Sequence, residues 1–408
     1  MKPLGPIPAG FDVVDGELAV GGHRASALVE RAGGTPLFVY SADLIRRRVT
    51  DLRAAIPAQL RIHFAMKANS YAPVLELIGT LVDGFDIASG GELRMALDAG
   101  LPAGRISFAG PGKRDEELAA AIEAGVTLNL ESEAEARRAL AIAERNGVTP
   151  RLAIRVNPDF DLRGSGMKMG GGAKPFGLDA ERVPALAQEV IAAGAEWRGL
   201  HIFAGSQALD AEAIIETQAN VLDLAAKLSE QIGAPLPHLN MGGGLGIPYF
   251  NGHRPVDAAA VGAALAERFA ALAPELAGTE FAIELGRYLV GEAGVYLTRI
   301  VDRKESHGHT FLVTDGGLHH QLAASGNFGT VVRRNYPVAI ATKFSAEPDE
   351  EASVVGCLCT PLDRLADQAH LPRADVDDIV AVFCAGAYGA SASPFMFLGQ
   401  GPAREMLV

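Results

Sequence analysis

Between residues 36 and 287, short apolar runs alternate with Ala- and Leu-rich stretches of helical period, and this alternation limits the fold more than anything else in the chain. The runs are 61–67, 84–89, 105–110, 127–132, 151–157, 198–204, 238–242 and 281–286. Gly, Asp and Ser punctuate their ends, and amphipathic segments such as Glu116–Ala124, Glu131–Asn146 and Ala211–Gln231 separate them. Eight strands divided by helices predict a (β/α)8 barrel. A doubly wound sheet is the alternative, but no G-x-G-x-x-G opens a helix after the first run.

At 408 residues the chain exceeds one ordinary core, so a second domain is expected. After Arg287 the texture changes. Val295–Val301, Thr310–Thr314, Thr330–Val332, Val338–Thr342, Ala352–Val355 and Ile379–Phe383 are short, β-branched and separated by polar turns. That pattern reads as an all-β domain. The opening segment Phe11–Gly22 is also strand-like and is expected to join the C-terminal sheet. The domains are thus a barrel over 36–287 and a discontinuous β domain made of 1–35 and 288–408.

A net charge of -13 without a basic cluster argues against nucleic acid as a partner. No apolar run approaches the roughly 20 residues of a membrane span. The opening Met1-Lys2-Pro3-Leu4-Gly5-Pro6 lacks the apolar core of a secretion signal. Three cysteines, Cys357, Cys359 and Cys384, cannot all pair, and no metal site is expected from them. A reduced, cytoplasmic enzyme fits these features best.

Residues able to do chemistry fall at the C-terminal ends of the predicted strands, where barrel enzymes build their sites. Lys67 ends the first, in His63-Phe64-Ala65-Met66-Lys67-Ala68-Asn69. A lone lysine there is more often a surface residue, but partial desolvation would lower its pKa and make it a nucleophile toward an aldehyde. Asp86 ends the second strand, Arg155 the fifth, and Phe203-Ala204-Gly205-Ser206-Gln207 the sixth. Gly242-Gly243-Gly244 ends the seventh and Glu284-Leu285-Gly286-Arg287 the eighth. Consecutive glycines let backbone N–H groups close on an anion. With Ser206 and the Gly286-Arg287 pair, they read as a phosphate cradle. The loop Arg163–Gly177 follows the fifth strand, and its glycines predict mobility.

In this order and spacing the motifs resemble the fold-type III pyridoxal-phosphate (PLP) amino acid decarboxylases, the family of the diaminopimelate, ornithine and arginine enzymes. The likeness extends to Cys357-Leu358-Cys359-Thr360-Pro361-Leu362-Asp363 and Gly386-Ala387-Tyr388-Gly389. Within the family the chain is most similar to the subgroup of exosortase-associated decarboxylases and the butirosin-pathway decarboxylase of carrier-protein-bound glutamate. The 167–177 loop and Ile202–Gln207 carry that narrower likeness.

The resemblance implies an alanine racemase-like architecture, a PLP barrel followed by a β domain. It makes Lys67 the Schiff-base lysine and Glu284 the partner of the pyridinium nitrogen. Ser206, Gly242, Gly243, Gly244, Gly286 and Arg287 become phosphate contacts. Asp86 and Arg155 form a polar floor, and Cys359 is the acid that protonates Cα from a partner subunit. Tyr388 would reach the phosphate from a second subunit, which implies a homodimer with active sites at the interface. Glu284 separates this lyase from the barrel-type PLP racemases, whose partner at that nitrogen is a cation.

Two departures bear on substrate. Phe203 stands where the decarboxylases usually stack a histidine on the ring, so Phe203 is expected to stack there without offering a proton. His201 lies about 6.6–6.8 Å back along the strand, too far to substitute. Thr360 follows the cysteine where ornithine- and diaminopimelate-type enzymes carry an acid for a distal ammonium. Losing a charged hydrogen bond of about 1.5–3 kcal/mol gives up a roughly 10–150-fold preference. A substrate without a terminal ammonium is therefore expected, such as glutamate, free or linked to an acyl carrier protein. Asp363 could compensate for Thr360, and Arg333, beside Arg334, could meet an acidic or carbonyl end. The competing readings are a diaminopimelate decarboxylase and a non-catalytic PLP-binding homologue.

Overall fold

In the computed structural model, which describes residues 1–326 and 333–408, the eight apolar runs form eight strands of one closed barrel. They are β1 Leu60–Ala65, β2 Gly84–Ile87, β3 Ile106–Phe108, β4 Thr127–Leu130, β5 Arg151–Asn157, β6 Glu196–Ile202, β7 His238–Asn240 and β8 Glu280–Leu285. Each pairs in parallel with the next, and β8 pairs with β1. The helices between them include α1 Ala72–Gly79, α2 Gly90–Asp98, α3 Asp115–Ala124, α4 Glu133–Asn146, α5 Val183–Ala192, α6 Ala211–Ile232 and α7 Ala258–Ala270. Local chemistry sets their ends. Ser89 and Ser132 accept from the amides of Glu92 and Glu135, each at 3.1 Å, and so cap α2 and α4. Gly125, Gly147 and Gly233 take left-handed backbone and stop α3, α4 and α6.

The strand period of two gives the barrel its unusual lining. Ile62, Phe64, Phe85, Phe108, Leu128, Leu152 and Ile154 are fully buried. Burying each of these large side chains contributes roughly 1.5–3 kcal/mol. Their alternates, His63, Asp86, Asn129 and Arg155, are buried too, yet polar, where barrels usually stack Val, Ile and Leu. A cavity of about 160 Å3 opens at the mouth where the strands begin, lined by His63, Ser107, Asn129, His238 and Asn240 among others. Lys67 lies at the opposite end of β1.

Residues Val49–Gly246 and Val256–Gly286 make up this barrel unit; Met1–Arg48, Ile247–Pro255 and Arg287–Val408 make up a second unit. The chain passes from one to the other within the helix Ala42–Ala55, after Arg48 rather than at residue 36. The second unit is built on a sheet of eight strands among the described residues: Leu37–Tyr40, Gly294–Ser306, His309–Thr314, Val338–Ile340, Glu350–Val355, Arg364–Leu371, Ile379–Val382 and Arg404–Leu407. The predicted strand Thr330–Val332 lies outside the described residues.

The opening segment corrects an expectation. Asp12–Val14 and Glu17–Val20 pair with each other and with His23–Arg24 in a separate three-stranded sheet. The N-terminal strand that enters the large sheet is Leu37–Tyr40, against Gly294–Leu297. Leu18 and Val20 pack with Leu37, Val39, Val295, Leu297 and Phe383 in one apolar cluster, so the small sheet is held by burial rather than by ladder bonds.

Candidate active site

Lys67 occupies the short 3-10 turn Met66–Ala68 that ends β1. Its side chain is 47% exposed, and Nζ stands 3.6 Å from Oε1 of Glu284. Glu284 is on β8 and buried. Burial alone would push its carboxyl up. The Lys67 ammonium and the hydrogen bond from His201 outweigh that, and its pKa sits at about 2. His201, on β6, places Nε2 3.1 Å from Oε2 of Glu284. The ring of Phe203 lies 5.5 Å from Lys67 Nζ.

The glycine run is fixed by close backbone contact. A Cβ on Gly242 would lie 2.6 Å from the Ile202 carbonyl oxygen, and one on Gly243 would lie 2.4 Å from that of Glu284. A Cβ on Gly286 would meet Ala68 at 2.8 Å. Gly242 and Gly244 also have φ of 70° and 136°, which favours glycine. Ser206 lies after β6 on the short strand Gly205–Ser206, which pairs antiparallel with Met167–Lys168. The glycine-rich loop, expected to be mobile, is thus tied down. Its amides at Met169 and Gly170 also donate to the Ala204 carbonyl.

Asp86 and Arg155 are buried in the barrel lining, each with neighbours the sequence did not single out. Asn240 donates to Asp86 Oδ1 at 3.3 Å. His63 Nδ1 is 3.3 Å from Asp86 Oδ2 but out of hydrogen-bond alignment. Arg155 donates to Glu131 at 2.9 Å, and its guanidinium lies over the Phe176 ring at 5.1 Å. The other oxygen of Glu131 accepts from the Gly177 amide at 2.9 Å, so one buried acid holds both Arg155 and the end of the loop. Burial works against ionisation of Glu131, but Arg155, the amides of Gly177 and Gly110 and Lys113 bring its pKa below the ordinary value. Glu92 is a further acid near Lys67. Burial raises its pKa, opposed by the Ala88 amide and the Lys67 charge. Its only signal in the sequence was a Ser89-x-x-Glu92 cap pattern.

The second unit holds the remaining candidates. Arg287 lies 4.5 Å from the Tyr388 ring and donates to the Tyr249 hydroxyl at 2.6 Å. Tyr388 therefore meets the predicted phosphate arginine within its own chain, where a second subunit had been expected to supply it. Cys359 is exposed and Thr360 half-buried on the turn after Glu350–Val355. Asp363 points elsewhere: its oxygens accept from the amides of Leu318 at 2.7 Å and Leu358 at 2.9 Å. That use clamps the turn and leaves Asp363 poorly placed to replace an acid at Thr360. Arg333 is half-buried and donates to the Arg364 carbonyl; it forms no ion pair with another described residue.

The barrel residues fit PLP. They offer a half-open amine, an aromatic face, a buried anion able to pair with a cationic ring nitrogen, and a glycine turn that a Cβ would close. A family model described as "Pyridoxal-dependent decarboxylase, pyridoxal binding domain" matches residues 42–291. The chain belongs to the pyridoxal-dependent decarboxylases. It is 34% identical over 379 residues to L-glutamyl-[BtrI acyl-carrier protein] decarboxylase of Niallia circulans, covering 91% of this chain and 88% of the relative. It is 33% identical over 401 residues to the diaminopimelate decarboxylase of Archaeoglobus fulgidus, covering 98% and 93%. Among solved structures it is similar to diaminopimelate decarboxylase from M. jannaschii in complex with L-lysine, with a TM-score of 0.87, 26% identity and coverage of 98% and 93%. This decarboxylase is thus a PLP-dependent carboxy-lyase acting on an amino acid, with the alanine racemase-like architecture. None of its described helices is long and apolar enough to cross a membrane.

Proposed function

We propose that the enzyme decarboxylates an amino acid whose side chain ends in a carbonyl or acyl group, glutamate free or as a thioester on an acyl carrier protein. The observation that carries this is Thr360, half-buried and uncharged directly after Cys359, with Asp363 turned into backbone contacts. The relative from Niallia circulans, whose name gives carrier-linked glutamate, supports the same reading. Arg333, which forms no direct ion pair with another described residue, is the group proposed to meet the distal carbonyl.

In this reading Lys67 holds the cofactor through its amine, and Phe203 lies against the ring. Ser206, Gly242, Gly243, Gly244, Gly286, Arg287 and Tyr388 hold the phosphate. When bound, PLP accepts the electron pair left on Cα as CO2 departs. Glu284 keeps the ring nitrogen protonated, because an adjacent anion favours the cation. Asp86 and Arg155 line the floor, and Cys359 delivers the proton to Cα. We further propose a homodimer in which Cys359 serves the partner's site. The exposed apolar side chains beside that segment and near the C-terminus, Leu362 at 56% and Met396 at 67% among them, support a covered surface. The exposed free thiols of Cys357 and Cys359 support a reducing, cytoplasmic setting.

The test is CO2 release by PLP-loaded enzyme offered glutamate, glutamyl carrier-protein thioester and meso-diaminopimelate. Release from either glutamate form is expected. Release from diaminopimelate alone would sink the proposal.

A further inference from the structure

Glu284 divides its two oxygens between two partners, Lys67 at 3.6 Å and His201 at 3.1 Å. A carboxylate has no proton to give, so the hydrogen in the second contact sits on Nε2 of His201. Nδ1, the other ring nitrogen, is buried and finds no hydrogen-bond partner among the described residues. That environment favours the tautomer with the single N–H on Nε2, aimed at Glu284. The Phe203 ring packs edge-on against the His201 ring, at 6.4 Å and 70°, and helps fix its plane. Lys67 ceases to be a free ammonium once it carries the cofactor. Of the described side chains, His201 is then the one still donating a hydrogen bond to this buried acid.

We propose that His201 is a positioning residue for Glu284. Its Nε2–H keeps the carboxylate ionised and turned toward the ring nitrogen in the states where Lys67 cannot. The end of β6 and the residue that follows it thereby split two tasks: Phe203 supplies a flat surface and no proton, and His201 a donor without stacking. The inference rests on reading Glu284 as the partner of the ring nitrogen. It goes beyond that reading by naming what maintains the acid.

The test compares wild-type holoenzyme with His201→Leu, His201→Gln, His201→Asn and Glu284→Gln. Cofactor content, the absorbance of the bound cofactor against pH, and kcat against pH are measured for each. Removing the donor bares a buried carboxylate oxygen, so the acid limb of the kcat profile moves to higher pH in His201→Leu. Its kcat falls by about 10- to 100-fold while cofactor content is kept. Gln places an N–H at a similar reach and restores the limb toward wild type; Asn, one bond shorter, does not. Should His201→Leu fail to fold, the Gln-against-Asn contrast decides. Wild-type kcat and acid limb in His201→Leu would overturn the proposal, as would a kcat loss with an unmoved limb that Gln does not rescue. Unchanged activity in Glu284→Gln would instead remove the underlying assignment of the acid.

Discussion

Lys67 and Glu284 face each other at 3.6 Å across the seam where β1 and β8 close the barrel. Residues from opposite ends of the barrel sequence meet there because the register sets Glu284 beside His63, a few residues before the lysine. The amine and the acid proposed to serve the reaction are thus placed by strand pairing, the stiffest part of the fold.

Lys67→Ala should lose the covalent link to the cofactor. Borohydride treatment of wild-type holoenzyme is expected to label Lys67, and mass spectrometry of the variant to show no label. CO2 release should fall by about a thousandfold or more.

The same contact predicts how the cofactor-free protein responds to acid. The pKa of Glu284 lies at about 2 in the fold against an ordinary 4.5. A depressed carboxyl adds stability that is full above its ordinary value and disappears as pH falls through that window. Denaturation of wild type and Glu284→Gln between neutral pH and this window should therefore show their stabilities converging as pH drops. A gap independent of pH would contradict the ionised state of Glu284.

Gly243→Ala places a Cβ 2.4 Å from the Glu284 carbonyl oxygen. The backbone must shift, at a stability cost of about 1–3 kcal/mol, and the cradle proposed for the phosphate moves with it. Absorbance titration should show weaker cofactor binding. Gly112→Ala, whose Cβ would meet nothing within 4 Å, serves as the silent control.

Glu131→Ala leaves the buried Arg155 guanidinium without its partner. Breaking such a pair costs about 3–5 kcal/mol. Denaturant midpoints should show this loss, and Glu131→Gln with Arg155→Met together should lose less than the two single changes combined.

The shared site of the proposed homodimer can be checked by complementation. Lys67→Ala and Cys359→Ala are each expected to be nearly inactive. In an equal, fully re-equilibrated mixture half the dimers are hybrids with one intact site, so activity should return to about 25% of wild type. No recovery, with subunit exchange shown independently, would place Cys359 in the site of its own chain.

The barrel was legible because a parallel strand packed against helices must be apolar on its outer face, and Ile62-x-Phe64 or Phe281-x-Ile283 declare it. The strand Arg364–Leu371 gave no such sign; Asp367, Gln368 and His370 interrupt its apolar residues. Leu37–Tyr40 had the right residues, but nothing local says which sheet a strand will join, and pairing with Gly294–Leu297 is a long-range choice. The proposed reactive set, Lys67, Glu284 and the glycine run, was named from motif order. Their supports could not be. Glu131 looked like the start of a helix, His201 lay one pleat away from the expected position, and the direction of Asp363 depends on Leu318, far off in the chain.

The polar lining of the barrel sets this enzyme's response to engineering. His63, Asp86, Asn129 and Asn240 occupy space that hydrocarbon would fill more favourably. Replacing them with Ile and Val should yield a sturdier vessel with its reagents displaced. Thermal robustness and turnover are opposed along this axis, and selection for heat resistance alone would erode the chemistry from the inside outward.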